Sequence, residues 1–434
     1  MGRGIDAVTN NLDGSPENDI ILMDIALNYI LFTGIIIITG FVFGELANKV
    51  KLPKATGYLV AGILLNPDLF ISLLDHKHFV EASQVVLNIS LAIIAFSIGG
   101  GLHRKELKSM GGSIVSIGIN QAEITLLIVA FGLIGLFRVF PPEGYAWAEY
   151  LVPMSIILGS LALPTDPAAF LAVKNELKAK GRLTTTTLGI AAIDDMLTFL
   201  NFVLAVSIAG LFLNSGEGNL GMELLKTLGE IAASIALGAV MGGLLNLVTG
   251  LTKKETEGVL IVLALGFILA CYGLAEAFHL EKLLTNMSMG IVVVNFNPIR
   301  KKIFDLLERY TEELVFVLFF TLSGIQLNFD IIDQVLLLVG VFVVLRFAGK
   351  WAGTFSGALM AGSDKKIKRY TTWALLPQGG IVIGLGLTLQ QDPAFSSFAD
   401  IILGVVIISS VVFEIIGSIT TKYALEESGE AKAE

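Results

Sequence analysis

Long apolar runs alternate with short charged or turn-rich segments along almost the whole chain. Each run is close to the ~20 residues that a helix needs to cross a hydrocarbon core of about 30 Å. The pattern therefore predicts an all-α, polytopic membrane protein with about thirteen transmembrane helices. The predicted spans are residues 20–47, 52–74, 82–102, 112–137, 149–173, 184–213, 223–250, 257–279, 282–297, 311–328, 331–361, 370–390 and 397–423.

The distribution of basic residues in alternate loops predicts the orientation. One set of loops holds 22 of the 29 Lys and Arg residues and the other set holds 5, while Arg346 and Lys350 lie within a span. We therefore expect a multi-pass protein of the cell membrane with its N-terminus outside and its C-terminus in the cytoplasm. Residues 1–19 are read as an external tail and residues 424–434 as a cytoplasmic tail.

Composition excludes several other classes of protein. Of the 434 residues, 54% are hydrophobic and 15% are charged, whereas soluble domains carry about 25% charged residues. The lone Cys271 cannot form an internal disulfide, and 4 histidines without a second cysteine do not suit a zinc site. No resident cofactor is expected. The net charge of −9 argues against nucleic acid as a partner.

Two predicted spans contain proline beside polar residues near their middles. In the fifth span, Pro164 and Pro167 flank Thr165 and Asp166, and the twelfth span contains Pro377. Proline removes a helical hydrogen bond, so both helices should unwind locally. These spans stand seven apart, and an odd offset predicts two inverted repeats with crossed discontinuous helices. That arrangement is typical of secondary transporters, which bind their substrates at the crossing.

Adjacent carboxylates in the sixth span are the sharpest chemical signal. Asp194 and Asp195 lie within an otherwise apolar stretch, where each ionised side chain costs at least ~2.5 kcal/mol. Neighbouring helical residues point about 100° apart, so one carboxylate can face a water-filled pathway while the other meets a packing partner.

Other charges within the spans supply candidate partners. Arg346 and Lys350 are four residues apart in the eleventh span and share a helix face. Glu123 lies in the fourth span, the inverted counterpart of the eleventh, and we predict that it pairs with Arg346. Lys350, one turn along the same face, is then left to pair with Asp194. Only Lys350 could take part in proton exchange, because a lysine can lose its proton when buried and an arginine cannot. Glu414, in the thirteenth span, corresponds by repeat position to the two aspartates.

Several of these segments resemble the monovalent cation/proton antiporter superfamily, and within it the branch with paired aspartates. The similar segments are 52-LPKATGYLVAGILLNP-67, 162-ALPTDPAAFLAVKNELKAKGR-182 with 193-IDDMLTF-199, and 319-FFTLSGIQLNF-329 before the RxxGK sequence at 346–350. The resemblance covers nearly the whole chain. The soluble nucleotide-binding domain of the potassium-efflux relatives is not expected in this protein.

The resemblance implies roles for individual residues. Asp195 would bind the ion and the proton, with Asp194 as its neighbour. Thr165 would offer a ligand oxygen at the crossing, and Asp166 would balance the positive ends of the half-helices there. The resemblance alone does not decide whether Arg346 or Lys350 pairs with the first aspartate, Asp194.

The resemblance also implies a homodimer with elevator-like alternating access between two domains. The implied division is residues 20–111 for dimerisation helices, 112–213 for the first half of the core, 214–330 for the linker and further dimerisation helices, and 331–423 for the second half of the core.

From these observations we expect a sodium/proton antiporter with a role in pH homeostasis, with Li⁺ as a further cation. Coupling follows if one buried aspartate holds either a proton or a cation, and if only the loaded protein changes its facing side. Potassium/proton exchange is the first alternative. A sodium-coupled organic-anion symporter of related fold is another, and a gated cation channel is a third.

Overall fold

The computed structural model describes residues 29–50, 52–66, 76–105, 111–140, 147–213, 220–251 and 256–431. The predicted external tail, residues 1–19, lies outside this part. The described residues are mostly helical and contain no strand. The helices are α1 (Tyr29–Lys49), α2 (Lys54–Leu64), α3 (His76–Gly100), α4 (Gly111–Val139), α5 (Val152–Leu161), α6 (Pro167–Glu176), α7 (Arg182–Leu213), α8 (Leu220–Leu251), α9 (Glu257–Ala277), α10 (Lys282–Phe296), α11 (Arg300–Leu307), α12 (Glu313–Ile325), α13 (Ile332–Met360), α14 (Lys365–Ala374), α15 (Ile381–Gln390) and α16 (Ala399–Glu427).

The helices confirm the predicted all-α membrane fold. Within the described ranges, 8 helices are long and apolar enough to cross a bilayer, and several shorter ones are apolar as well. Large apolar side chains such as Val262, Leu337 and Val344 are exposed, as expected for helix faces that meet lipid rather than water. The total of thirteen crossings stays a prediction.

The helices fall into two groups according to which of them pack together. α4–α7 and α13–α16 pack mainly on one another and form what we call the site group. α1–α3 and α8–α12 pack mainly on one another and form what we call the scaffold group. Contacts between the groups are fewer and run chiefly along α7.

The closest helix pair of the site group is α4 with α13. A Cβ atom at Gly349 would lie 2.7 Å from Thr125 Cα, and one at Gly353 would lie 2.5 Å from Gln121 Cα. Glycine is therefore required at both positions for this approach. The contact fixes the charged face of α13 against α4.

The chain continues in an ordered way beyond the last predicted span. α16 extends to Glu427, and the Glu430 carboxylate accepts hydrogen bonds from Leu183 N (2.6 Å) and Thr184 N (2.8 Å). A carboxylate at the start of a helix satisfies free backbone donors and the helix dipole. Part of the predicted tail, 424–434, is thus docked on the start of α7.

Candidate ion-binding site

Two interrupted helices meet at the centre of the site group. Residues 162–166 separate α5 from α6, and residues 375–380 separate α14 from α15. The two non-helical segments touch, because Asp166 N donates a hydrogen bond to Pro377 O at 3.0 Å. The predicted interruptions of the fifth and twelfth spans therefore lie side by side.

The Asp194 carboxylate is buried and fully engaged beside this crossing. Thr165 Oγ1 and Lys350 Nζ donate to its Oδ2 at 2.8 Å and 3.1 Å, and Gln121 Nε2 donates to its Oδ1. Lys350 Nζ also donates to Thr165 Oγ1 at 2.9 Å. All four side chains are fully buried. Lys350 and Asp194 are thus in contact, as predicted, and the role of this pair in transport stays a prediction.

The Asp195 side chain points elsewhere, as the offset of 100° between helical neighbours requires. It lines a cavity of about 800 Å³ that also borders Pro167 at the start of α6. The cavity extends to His103, Glu308 and Arg300 at one side of the bundle. We call this side the basic side, because its loops are rich in Lys and Arg and include residues 49–54, 177–182 and 361–369. In the described part of the chain, no donor is hydrogen-bonded to the Asp195 carboxylate. This oxygen pair is free to bind a solute from the cavity.

Arg346 binds backbone carbonyl groups that the helix interruptions leave without helical partners. Its guanidinium donates to Ala162 O (2.9 Å), Pro164 O (2.8 Å) and Leu376 O (2.8 Å). It also lies over the Phe413 ring, 4.2 Å from the centroid, a favourable cation–π arrangement. Arg346 thus joins both crossing segments and stacks on α16.

The predicted pairing of Arg346 with Glu123 is wrong. Glu123 is half-buried, and its Oε1 accepts a hydrogen bond from Asn201 Nδ2 at 3.0 Å. The prediction assumed that a buried guanidinium needs a carboxylate. Three carbonyl oxygens in the fixed fork geometry of arginine satisfy it instead.

Asp166 and Glu414 form a second carboxyl contact near the crossing. Asp166 precedes α6 and accepts a hydrogen bond from Ala168 N at 2.8 Å, and the carboxyl group of Glu414 lies next to that of Asp166. Both residues are more than nine-tenths buried. Glu414 therefore neighbours Asp166, and its transport role stays a prediction.

The sequence itself now identifies the family. The profile described as sodium/hydrogen exchanger, transmembrane, matches residues 34–423. The chain therefore belongs to the sodium/hydrogen exchanger family.

Two known exchangers from bacteria are similar over most of their length. The Na(+)/H(+)-K(+) antiporter GerN of Bacillus cereus is 24% identical, covering 82% of this chain and 88% of that protein. The Na(+)/H(+) antiporter NhaP of Pseudomonas aeruginosa is 21% identical, covering 86% and 90%.

A solved exchanger has the same fold. The sodium proton antiporter MjNhaP1 from Methanocaldococcus jannaschii superposes with a TM-score of 0.72 at 16% identity, covering 94% of this chain and 99% of that one. At this identity the similarity speaks to the fold alone. The profile match over residues 34–423 confirms the resemblance stated from the sequence at the level of the superfamily.

Sequence reasoning missed one residue of the exchanger's polar network. Gln121 was not predicted because its side chain is uncharged, and a neutral amide in an apolar helix is ordinarily a packing residue. The available hint was its place two residues before Glu123 on the predicted counterpart of the basic span. Only the structure shows that its amide reaches Asp194.

Polar contacts join the two helix groups on the side opposite the basic side. Gln391, which follows α15, accepts from Lys282 Nζ and donates to Asn88 Oδ1, both at 3.2 Å. Lys282 also lies 3.4 Å from the Glu276 carboxylate. The site group and the scaffold group are therefore in direct contact on this side, whereas the Asp195 cavity extends to the basic side.

Proposed function

We propose that the protein exchanges a monovalent cation for protons across the membrane, with Asp195 as the shared binding group. The observation that carries this proposal is the contrast between the two neighbouring aspartates. Asp194 is held by Gln121, Thr165 and Lys350, whereas Asp195 lines the cavity and accepts no hydrogen bond from any residue that the structure describes. A carboxylate in that position binds either a cation or a proton, and each excludes the other.

Coupling follows from the charge of Asp195. An unloaded carboxylate would have to enter a low-dielectric barrier with its charge exposed, which is strongly unfavourable. One bound cation or one proton neutralises it and permits the change of facing side. A cycle that moves only loaded forms exchanges one substrate for the other.

The remaining residues keep the crossing in shape and set its charge. In this proposal Lys350 forms an ion pair with Asp194 and is the basic residue that can release a proton. Arg346 keeps its charge and has a structural role. Asp166 offsets the positive end of α6, where it already caps the helix. Thr165 links Lys350 to Asp194 through its hydroxyl.

Access would alternate by movement of the site group against the scaffold group, as in an elevator. The small contact between the groups and the hydrogen bonds of Gln391 on the side opposite the basic side support this proposal. We further propose that the basic side is cytoplasmic, because 22 basic residues lie in those loops. A homodimer built on the scaffold group completes the proposal.

Na⁺ is the cation we propose first, with Li⁺ as a further substrate, and K⁺ is the alternative that the name of GerN favours. Proteoliposomes loaded with a pH-sensitive dye test this directly, with NaCl, LiCl, KCl and choline chloride added in turn. We expect a proton flux with NaCl and none with choline. A flux with KCl alone would make the protein a potassium/proton exchanger, and no flux with any of the three salts would contradict the proposal.

Thr165→Val is expected to weaken the Asp194 network without changing the shape of the crossing. The variant loses a buried hydroxyl that bonds two charged groups, so we expect a loss of about 1 to 3 kcal/mol of stability. Thr198→Val is the matched control, because its hydroxyl only donates to Asp194 O within the same helix, at 2.7 Å. Thermal melting in detergent compares the two. Equal melting temperatures for both variants would argue against the role given to Thr165.

A further inference from the structure

Gln121 occupies the oxygen of Asp194 that Lys350 does not contact. Its Nε2 donates to Oδ1, whereas Thr165 and Lys350 both donate to Oδ2. An ionised carboxylate only accepts hydrogen bonds, so the amide nitrogen and not the amide oxygen must face it. The bond therefore holds Asp194 from the side of α4.

The oxygen of this amide does not explain why a glutamine is present at position 121. Gln121 Oε1 is buried and, among the described residues, has no hydrogen-bond partner. Leaving a carbonyl oxygen buried and unpaired is unfavourable, and a methionine or leucine would fill the same space without that penalty. Packing alone therefore does not explain an amide at this position. The bond to Asp194 does.

Helix packing keeps Gln121 in register with Lys350. Gly353, three residues after Lys350 on α13, brings the α13 backbone against Gln121 Cα. Around Gln121, three helices that pack on one another carry charged side chains. They are Glu123 on α4, Asp194 and Asp195 on α7, and Arg346 and Lys350 on α13; the neighbouring α5 has no charged residue.

We infer that Gln121 is a positioning residue that keeps Asp194 out of the cavity, so that the cation meets Asp195 alone. The inference rests on the proposed exchange of a cation at Asp195. Whenever Lys350 loosens its hold on Oδ2, Gln121 still holds Oδ1. Without that bond the Asp194 carboxylate can rotate toward its neighbour, and a cation is then bound by two carboxylates.

Such a site binds its cation more tightly and releases it more slowly. For Gln121→Met we expect the KM for Na⁺ to fall by about tenfold, in line with one added charge contact in a partly hydrated site. The maximal exchange rate falls as well, since tighter ground-state binding does not favour transport. A general loss of structure would instead lower the rate without tightening binding.

Asn120→Leu is the matched control, because the Asn120 amide donates only to Ser116 O on its own helix, at 2.9 Å. Exchange is measured for wild type, Gln121→Met and Asn120→Leu in proteoliposomes, with Gln121→Leu replacing the methionine variant if that one does not reconstitute. A lower KM with a lower maximal rate in the Gln121 variant alone supports the inference. An unchanged KM, or the same change in both variants, overturns it.

A double-mutant cycle of Na⁺ binding isolates the route through Asp194. Gln121→Met should tighten binding in the wild-type background and have no effect in the Asp194→Asn background. An equal effect in both backgrounds overturns the inference even if exchange itself is established. Failure of wild-type protein to exchange any monovalent cation is a separate result that removes the proposed function.

Discussion

Asp195→Asn is expected to reduce exchange to the level of empty liposomes while the protein remains folded. Asparagine has nearly the shape of aspartate, but it carries no negative charge and cannot take up and release a proton during transport. The wild-type carboxylate lines the cavity, and none of the described residues donates a hydrogen bond to it. Its replacement removes a buried ionisable group, so the melting temperature should stay equal or rise.

The control for this variant is Glu123→Gln, which replaces another carboxylate of the site group by an amide. Glu123 is hydrogen-bonded to Asn201 and does not line the cavity, so exchange should persist. Dye-based assays at several Na⁺ concentrations compare the two. Exchange by Asp195→Asn clearly above background would show that another group carries the ions.

Arg346→Met is expected to cause the largest loss of stability, about 3 to 5 kcal/mol. The substitution leaves Ala162 O, Pro164 O and Leu376 O without the donor that binds them at 2.8 to 2.9 Å. These oxygens lie where the helices are interrupted, so no backbone N–H of the same helix replaces the guanidinium. Thermal melting of the purified protein measures the effect.

Two further variants separate this explanation from an ion pair. Arg346→Lys retains the charge but cannot reach three carbonyl groups in a planar fork, so it should recover only part of the stability. Glu123→Gln should melt close to the wild type. If Glu123→Gln is instead as destabilising as Arg346→Met and the two effects are not additive, the ion pair first predicted from the sequence is restored.

The sequence was sufficient for the main elements of the fold because membrane insertion leaves a strong pattern. Apolar runs, basic loops and the prolines at 164, 167 and 377 predicted the helices and both interruptions. The contact of Asp166 N with Pro377 O shows that the interruptions meet. The number of crossings and the division into domains stay predictions.

The contacts of the charged network were predictable only where two buried side chains of opposite charge form an ion pair. Lys350 and Asp194 could be paired because two buried charges of opposite sign on facing spans need one another. The partners of Arg346 could not be found this way, because backbone carbonyl oxygens freed at a helix interruption leave no trace in residue type. The same holds for Gln121, whose amide carries no charge that would demand a partner.

Calorimetry of Na⁺ binding is the sharpest test of whether one carboxylate holds either a cation or a proton. Titration of the purified protein in two buffers of different ionisation enthalpy gives the number of protons released per Na⁺ bound. We predict release of about one proton for each Na⁺ at a pH where Asp195 is mostly protonated, and neither Na⁺ binding nor proton release in Asp195→Asn. Binding of Na⁺ without proton release across the pH range in which the protein transports would contradict the account.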